Sequence, residues 1–222
     1  MDAGLRLAWT EIVTAHDYEQ HMCAIGQAQA AAALTEFLIA RAAPPPDGRL
    51  VIVGAGTGQM LDFLDPALFR PFKLICTDLN RSFLATLAQR LEKRGIRAHL
   101  MEDDIEHTAL EPGPDLLIAT LVLEHIDWRA GVKAFAQLGA PACGVVMQEN
   151  PPGMLSAVTP GRPIPSSIAR AVEAGHPTLV PRDQLLSEFA AHGYECEATC
   201  ARDVADGKQL LAMLFRNRNH LL

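Results

Sequence analysis

Val51, Ile52 and Val53 run straight into Gly54-Ala55-Gly56-Thr57-Gly58. That order of residue types has a chemical use. Glycines permit a tight turn and let a ligand approach bare backbone, and a helix opening just beyond offers unpaired N–H groups. About twenty residues past the last of these glycines stands Asp78, where a carboxylate can accept two hydrogen bonds from a ribose diol. The plainer alternative is a solvated side chain capping the helix that starts near Asn80. Glu124-His125 is the second group with chemical capacity. Its imidazole can take a proton from an acceptor hydroxyl or amine, or it can simply pack and hydrogen-bond backbone. A hard cation held by Glu124, His125 and another carboxylate is a third option.

The elements that must position these groups alternate along the chain. Segments 50–53, 72–77, 98–101, 115–119 and 142–147 read as strands, and 61–64, 81–94 and 128–138 as helices. Within 81–94, Phe83, Leu84, Leu87 and Leu91 share one face, and Gly95 stands where a helix end wants positive φ. A proline-rich stretch over 151–181 follows, then a helix over 182–192. Strands 194–200 and 208–215 flank Asp206-Gly207, a hairpin signal. Strand–helix alternation implies parallel pairing with right-handed crossovers. The predicted fold class is therefore α/β: a Rossmann-like, doubly wound, mostly parallel seven-stranded sheet with one antiparallel strand. Ahead of it, residues 1–43 read as helix, with Ala24, Ala28, Ala31, Leu34, Leu38 and Ile39 on one face. Pro44-Pro45-Pro46-Asp47-Gly48 then breaks the chain. The expected organisation is a helical lid over 1–43 hinged to a domain over 44–222, in which 151–181 is an insertion walling the acceptor pocket.

Composition bounds what such a chain can do. With 222 residues, 49% hydrophobic and 20% charged, it has the material for one globular domain and a largely aliphatic core. A net charge of -7 argues against gripping nucleic acid through its phosphates. Cys23, Cys76, Cys143, Cys196 and Cys200 form no CxxC pair and read as reduced thiols. The first residues lack the basic start and apolar run of a leader, and no stretch approaches a membrane span. The expectation is a cytoplasmic protein acting on a small molecule, without nucleic-acid or membrane partners. A homodimer is one assembly open to it.

The glycine spacing divides two nucleotide readings. A dinucleotide site prefers its third glycine one place later, where it lets the helix pack close to its strand. Here the pattern is G-x-G-x-G, with Met60 and Leu61 beyond. That spacing, Asp78, the closing hairpin and the segment 115–126, DLLIATLVLEHI in one-letter code, resemble the small-molecule branch of the class I S-adenosylmethionine-dependent methyltransferases. The resemblance covers residues 50–215. It implies that Gly54, Gly56 and Gly58, with Ala55 among them, face the methionine part of S-adenosylmethionine. Asp78 would hold the ribose, with Leu79 beside it. Asp104 would accept the adenine amino group while the Ile105 backbone faces the ring, and Thr120 and Leu121 would lie beside the sulfonium. The family usually carries an acidic residue two places before the first glycine, where this chain has Ile52; methionine recognition then falls to Tyr18 or Gln27 of the lid. His125 is the candidate catalytic base, and His21, Glu149 and Asn150 are the candidate acceptor contacts. No resident metal is expected. The competing functions are an NAD(P)-dependent oxidoreductase and a non-catalytic S-adenosylmethionine-binding regulator.

Overall fold

The structure is a computed structural model and describes residues 3–154, 163–175 and 177–218. Seven strands form one sheet: β1 Arg49–Val53, β2 Lys73–Asp78, β3 His99–Glu102, β4 Leu116–Thr120, β5 Ala142–Glu149, β6 Tyr194–Asp203 and β7 Gln209–Asn217. Their order is β3-β2-β1-β4-β5-β7-β6. β7 runs antiparallel to both β5 and β6, and the other pairings are parallel. The predicted fold class is the one observed.

Strand periodicity sends alternate residues to opposite faces. From β1, Leu50 and Ile52 join one core, and Val51 and Val53 join the other. Ala142 and Val146 of β5 fall on the first side, Cys143 and Val145 on the second. Such a strand, buried on both faces, shows the continuous apolar run read in the sequence. The second face is covered by α5, Trp128–Leu138, and α7, Arg182–Ala191. The first is covered by α4, Arg81–Arg94, and by α3, Gln27–Ala42.

That placement of α3 corrects the expected lid. Residues 1–43 are not one appendage. They divide into α1, Ala3–Leu7, a wide turn through Ile12, α2, Ala15–Ala24, and α3, with Gly26 at φ +67° breaking α2 from α3. Leu34 and Leu38 are fully buried. A Cβ on Gly144 of β5 would lie 2.8 Å from Leu38 Cδ1, so the helix and strand backbones approach closely. The three prolines therefore lead a core helix into β1 and are no hinge. Only α1 and α2 lie over the sheet's carboxyl edge, beside α6, Ser166–Ala174.

Five free cysteines are present, and burial pushes the Cys76 and Cys143 thiols up to about 12. Among the described residues, no single helix is long and apolar enough to cross a membrane.

Candidate active site

The sheet's strand order reverses between β1 and β4, which opens a crevice at their carboxyl ends. A cavity of about 220 Å³ lies there. Its floor begins with the glycine turn. Gly54 and Gly56 have φ of +59° and +58°, a region closed to most side-chain-bearing residues. A Cβ on Gly54 would sit 2.5 Å from Val122 Cγ2, and one on Gly56 would sit 3.4 Å from the Tyr18 hydroxyl. Gly58 serves another purpose: its Cβ would strike Leu87 of α4 at 2.3 Å. It is a packing glycine, and neither it nor Ala55 borders the main cavity. Both face a smaller space beneath the turn.

Asp78 fastens this turn. Its Oδ2 accepts the Gly56 N–H at 2.7 Å, and its Oδ1 accepts the Asn80 N–H at 2.8 Å. Burial pushes its carboxyl up to about 6, against the opposing pull of these N–H bonds. The helix cap proposed as the alternative role belongs to the next residue but one. Asn80 Oδ1 accepts the N–H groups of Ser82 and Phe83 at the start of α4, while its amide donates to the Trp9 carbonyl at 2.6 Å.

Along the cavity the structure gathers most of the anticipated residues: Tyr18, His21, Gly54, Gly56, Asp78, Leu79, Asp104, Ile105, Thr120, Leu121 and His125 all border it. Leu121 adopts φ +56°, costly for a branched side chain by ~1–3 kcal/mol and characteristic of functional edges. Asp104 Oδ1 accepts the Glu106 N–H at 3.1 Å, and its Oδ2 is ion-paired with Arg6 of α1. Glu149 and Asn150 do not border the cavity, which corrects their assignment as acceptor contacts. Strand alternation turns Gln148 inward instead, and Asn150 braces it by accepting the Gln148 amide at 2.7 Å. Ile52 is buried in the sheet's core and cannot serve a ligand. Tyr18 and Gln27 both border the cavity.

Three polar atoms here are buried without a protein hydrogen-bond partner: Thr120 Oγ1, Glu124 Oε2 and His125 Nδ1. Leaving such a group unmade costs ~1–3 kcal/mol. Glu124 is only 3% exposed. Its Oε1 accepts the Gln148 N–H at 2.7 Å, and burial pushes its carboxyl up to about 7. Burial also lowers His125 to about 4, and its ring lies edge-on to Trp9 with centroids 4.6 Å apart. Among the described residues, no group of three His, Cys, Asp or Glu side chains can hold a metal ion.

Sequence reasoning missed Trp9, Phe83 and Lys208 as cavity residues. Trp9 stacks edge-on with Tyr18 at 6.0 Å and Phe83 at 6.3 Å, and so joins the N-terminal segment to α4. α2 is further docked by Arg90, which pairs with Glu19 at 2.8 Å and Asp62 at 3.0 Å. On its other side Asp17 accepts the Ser167 N–H at 3.0 Å, and hydrogen bonding from the Ser167 side chain, then from that N–H, holds its carboxyl below the usual range.

A methyltransferase-domain family model matches residues 51–145. That stretch of the chain is similar to a methyltransferase domain. The match begins within β1, takes in the glycine turn, Asp78, Asp104 and the 115–126 segment, and ends within β5. No curated protein sequence matches the chain significantly. Solved structures place its fold among the class I S-adenosylmethionine-dependent methyltransferases. The magnesium protoporphyrin IX methyltransferase of Synechocystis, solved with bound S-adenosylhomocysteine, is similar at a TM-score of 0.63 and 14% identity, over 86% of this chain and 83% of that one. An S-adenosylmethionine-dependent methyltransferase of Clostridium acetobutylicum reaches 0.62 at 12% identity, over 91% and 96% of the two chains. The cyclase SpnF reaches 0.64 at 15% identity, over 85% and 81%. At these identities the likeness is one of fold.

Proposed function

We propose that this protein transfers a methyl group from S-adenosylmethionine to a small-molecule acceptor. The observation that carries the reading is the bare Gly54–Gly56 backbone at positive φ, pinned by Asp78 and bordering the crevice at the carboxyl ends of β1 and β4. The residues present fit that cofactor. When bound, it supplies an electrophilic methyl carbon on a sulfonium.

The chain's own work is holding and orienting. Gly54 and Gly56 offer backbone to the methionine part, and Tyr18 or Gln27 serves the charged end that Ile52 leaves unserved. Asp78 accepts the ribose hydroxyls. Asp104 and Ile105 take the adenine, with Arg6 sharing the Asp104 carboxylate. Thr120 and Leu121 flank the sulfonium. Proximity and orientation of this kind are worth roughly 7–11 kcal/mol of barrier. His125, lowered to about 4 and set against Trp9, is neutral at physiological pH and a weak proton acceptor. We assign it to packing over the cofactor rather than to base catalysis. α1 and α2 close the crevice, excluding water from the reacting groups.

Titration calorimetry with S-adenosylhomocysteine and with NADH tests the cofactor, and mass-spectrometric detection of S-adenosylhomocysteine formed from S-adenosylmethionine tests transfer. Binding of NADH alone would overturn the reading. S-adenosylmethionine binding without turnover across an acceptor screen would make the protein a non-catalytic cofactor binder.

A further inference from the structure

We infer that the cavity accepts an apolar molecule bearing a hydroxyl, and that Glu124 receives that hydroxyl as the group to be methylated; this rests on the methyl-transfer reading. The wall facing the cofactor crevice is hydrocarbon. Leu5, Ala8 and Val13 come from the N-terminal segment, Ile164 and Ile168 from in and just before α6, and Trp9 lies among them. Polar groups of a ligand buried against these side chains would go unpaired, although His21, Asp206 and Lys208 also border the cavity. Among the described residues three buried polar atoms bordering the cavity stand open, Thr120 Oγ1, His125 Nδ1 and Glu124 Oε2, and of these only Glu124 offers a carboxylate oxygen. Glu124 borders the cavity, its other oxygen is fixed by the Gln148 N–H, and Oε2 has no protein partner.

The choice of hydroxyl over ammonium follows from the surroundings. An ammonium carries three donors and a full charge, and a hydrocarbon wall leaves both poorly met. A hydroxyl needs one acceptor and offers one proton. Glu124 takes that proton as the oxygen–methyl bond forms and the carbon–sulfur bond breaks, its electron pair remaining on sulfur. The raised proton affinity of the buried carboxyl suits it to this exchange near neutral pH.

The test uses the full chain saturated with S-adenosylhomocysteine, and two isosteric probes, para-butylphenol and butylbenzene. Wild-type protein should bind the phenol about tenfold more tightly or better, the worth of a hydrogen bond to a buried carboxyl. Glu124→Leu should bring the two affinities together. Glu124→Gln keeps an acceptor for the Gln148 N–H and so preserves the fold. It should retain most of the phenol preference, while turnover of the phenol falls ~10²–10⁴-fold with KM nearly unchanged. Equal binding of the two probes by wild-type protein overturns the assignment, as does a phenol preference that survives Glu124→Leu, or unchanged turnover in Glu124→Gln. If S-adenosylhomocysteine itself fails to bind, the methyl-transfer reading falls and the acceptor assignment with it. Binding of S-adenosylhomocysteine without phenol selectivity removes the acceptor assignment alone.

Discussion

Asp78 both fastens the glycine turn and faces the cavity, and its carboxyl is raised to about 6. An ionised carboxylate can accept two ribose hydroxyls, whereas the protonated form turns one oxygen into a donor. Affinity for S-adenosylhomocysteine should therefore weaken as pH falls through about 6, and Asp78→Asn should abolish that dependence while binding roughly tenfold less tightly at neutral pH. Calorimetry across pH 5 to 8 checks it, and a flat wild-type profile would remove Asp78 from the ligand contact. Glu124 makes a stability prediction of definite sign. Its folded-state pKa, about 7, lies above the ordinary 4.5, so between those values the folded chain holds a proton that the unfolded chain has lost. Stability from this group is complete below about pH 4.5 and is lost as pH rises to about 7. His125, lowered to about 4 from 6.5, acts in the opposite direction below pH 6.5, so the variant must be compared with wild type at each pH. Glu124→Gln should gain on wild type progressively from pH 4.5 to 7, by up to about 3 kcal/mol. Denaturant melts yielding a pH-independent difference would show that the carboxyl is solvated.

The elements divide into those whose periodicity announced their place and those whose periodicity concealed it. In α4, a single apolar face, the Asn80 cap and Gly95 at φ +65° define a half-exposed helix, and its bounds were legible. α3 was legible as a helix but not as a core element. Gln29, Glu36, Ala40 and Arg41 mark its exposed side, but an apolar face suits a lid as well as a core helix, and the small alanines Ala30, Ala31 and Ala32 hide how closely it packs. Trp9 escaped notice for the converse reason: α1 spans 5 residues and gives way to an irregular turn, too short for any period. These placements predict different outcomes for two truncations. A chain beginning at Gly26 keeps α3 and should retain its circular dichroism and cooperative melt, while losing Trp9, Tyr18 and the Arg90–Glu19 pair, and with them methyl transfer and part of the cofactor affinity. A chain beginning at Pro44 strips α3 from Leu210, Ala212 and Leu214, exposes one face of the sheet, and should fail to fold. A stable, cooperative 44–222 chain would return α3 to the lid.

At the scale of the molecule, the sheet topology was readable because parallel strands buried on both faces leave continuous apolar runs, and because Gly54-Ala55-Gly56 directly follows the first strand, where such sheets bind ligands. The acceptor half of the site was less readable. Its wall is assembled from Val13, Ile168 and Trp9, residues far apart in sequence that chain order does not bring together, and Glu124 acquires its meaning only once burial removes its solvent. The same assembly sets how ligand binding must appear in the whole chain's stability. A ligand that binds only the folded state at a hundred times its dissociation constant adds ~2.7 kcal/mol. In a chain of this size each kcal/mol moves the melting temperature by ~2–4 °C. S-adenosylhomocysteine at that concentration should thus raise Tm by roughly 5–10 °C, and NADH at the same concentration should leave it unchanged. The chain beginning at Gly26, given the identical S-adenosylhomocysteine concentration, should show a clearly smaller rise, because the N-terminal segment that closes over the ligand is gone. Equal shifts in the two chains would place α1 and α2 outside the cofactor's binding energy. A shift with NADH matching that with S-adenosylhomocysteine would return the glycine turn to a general nucleotide site.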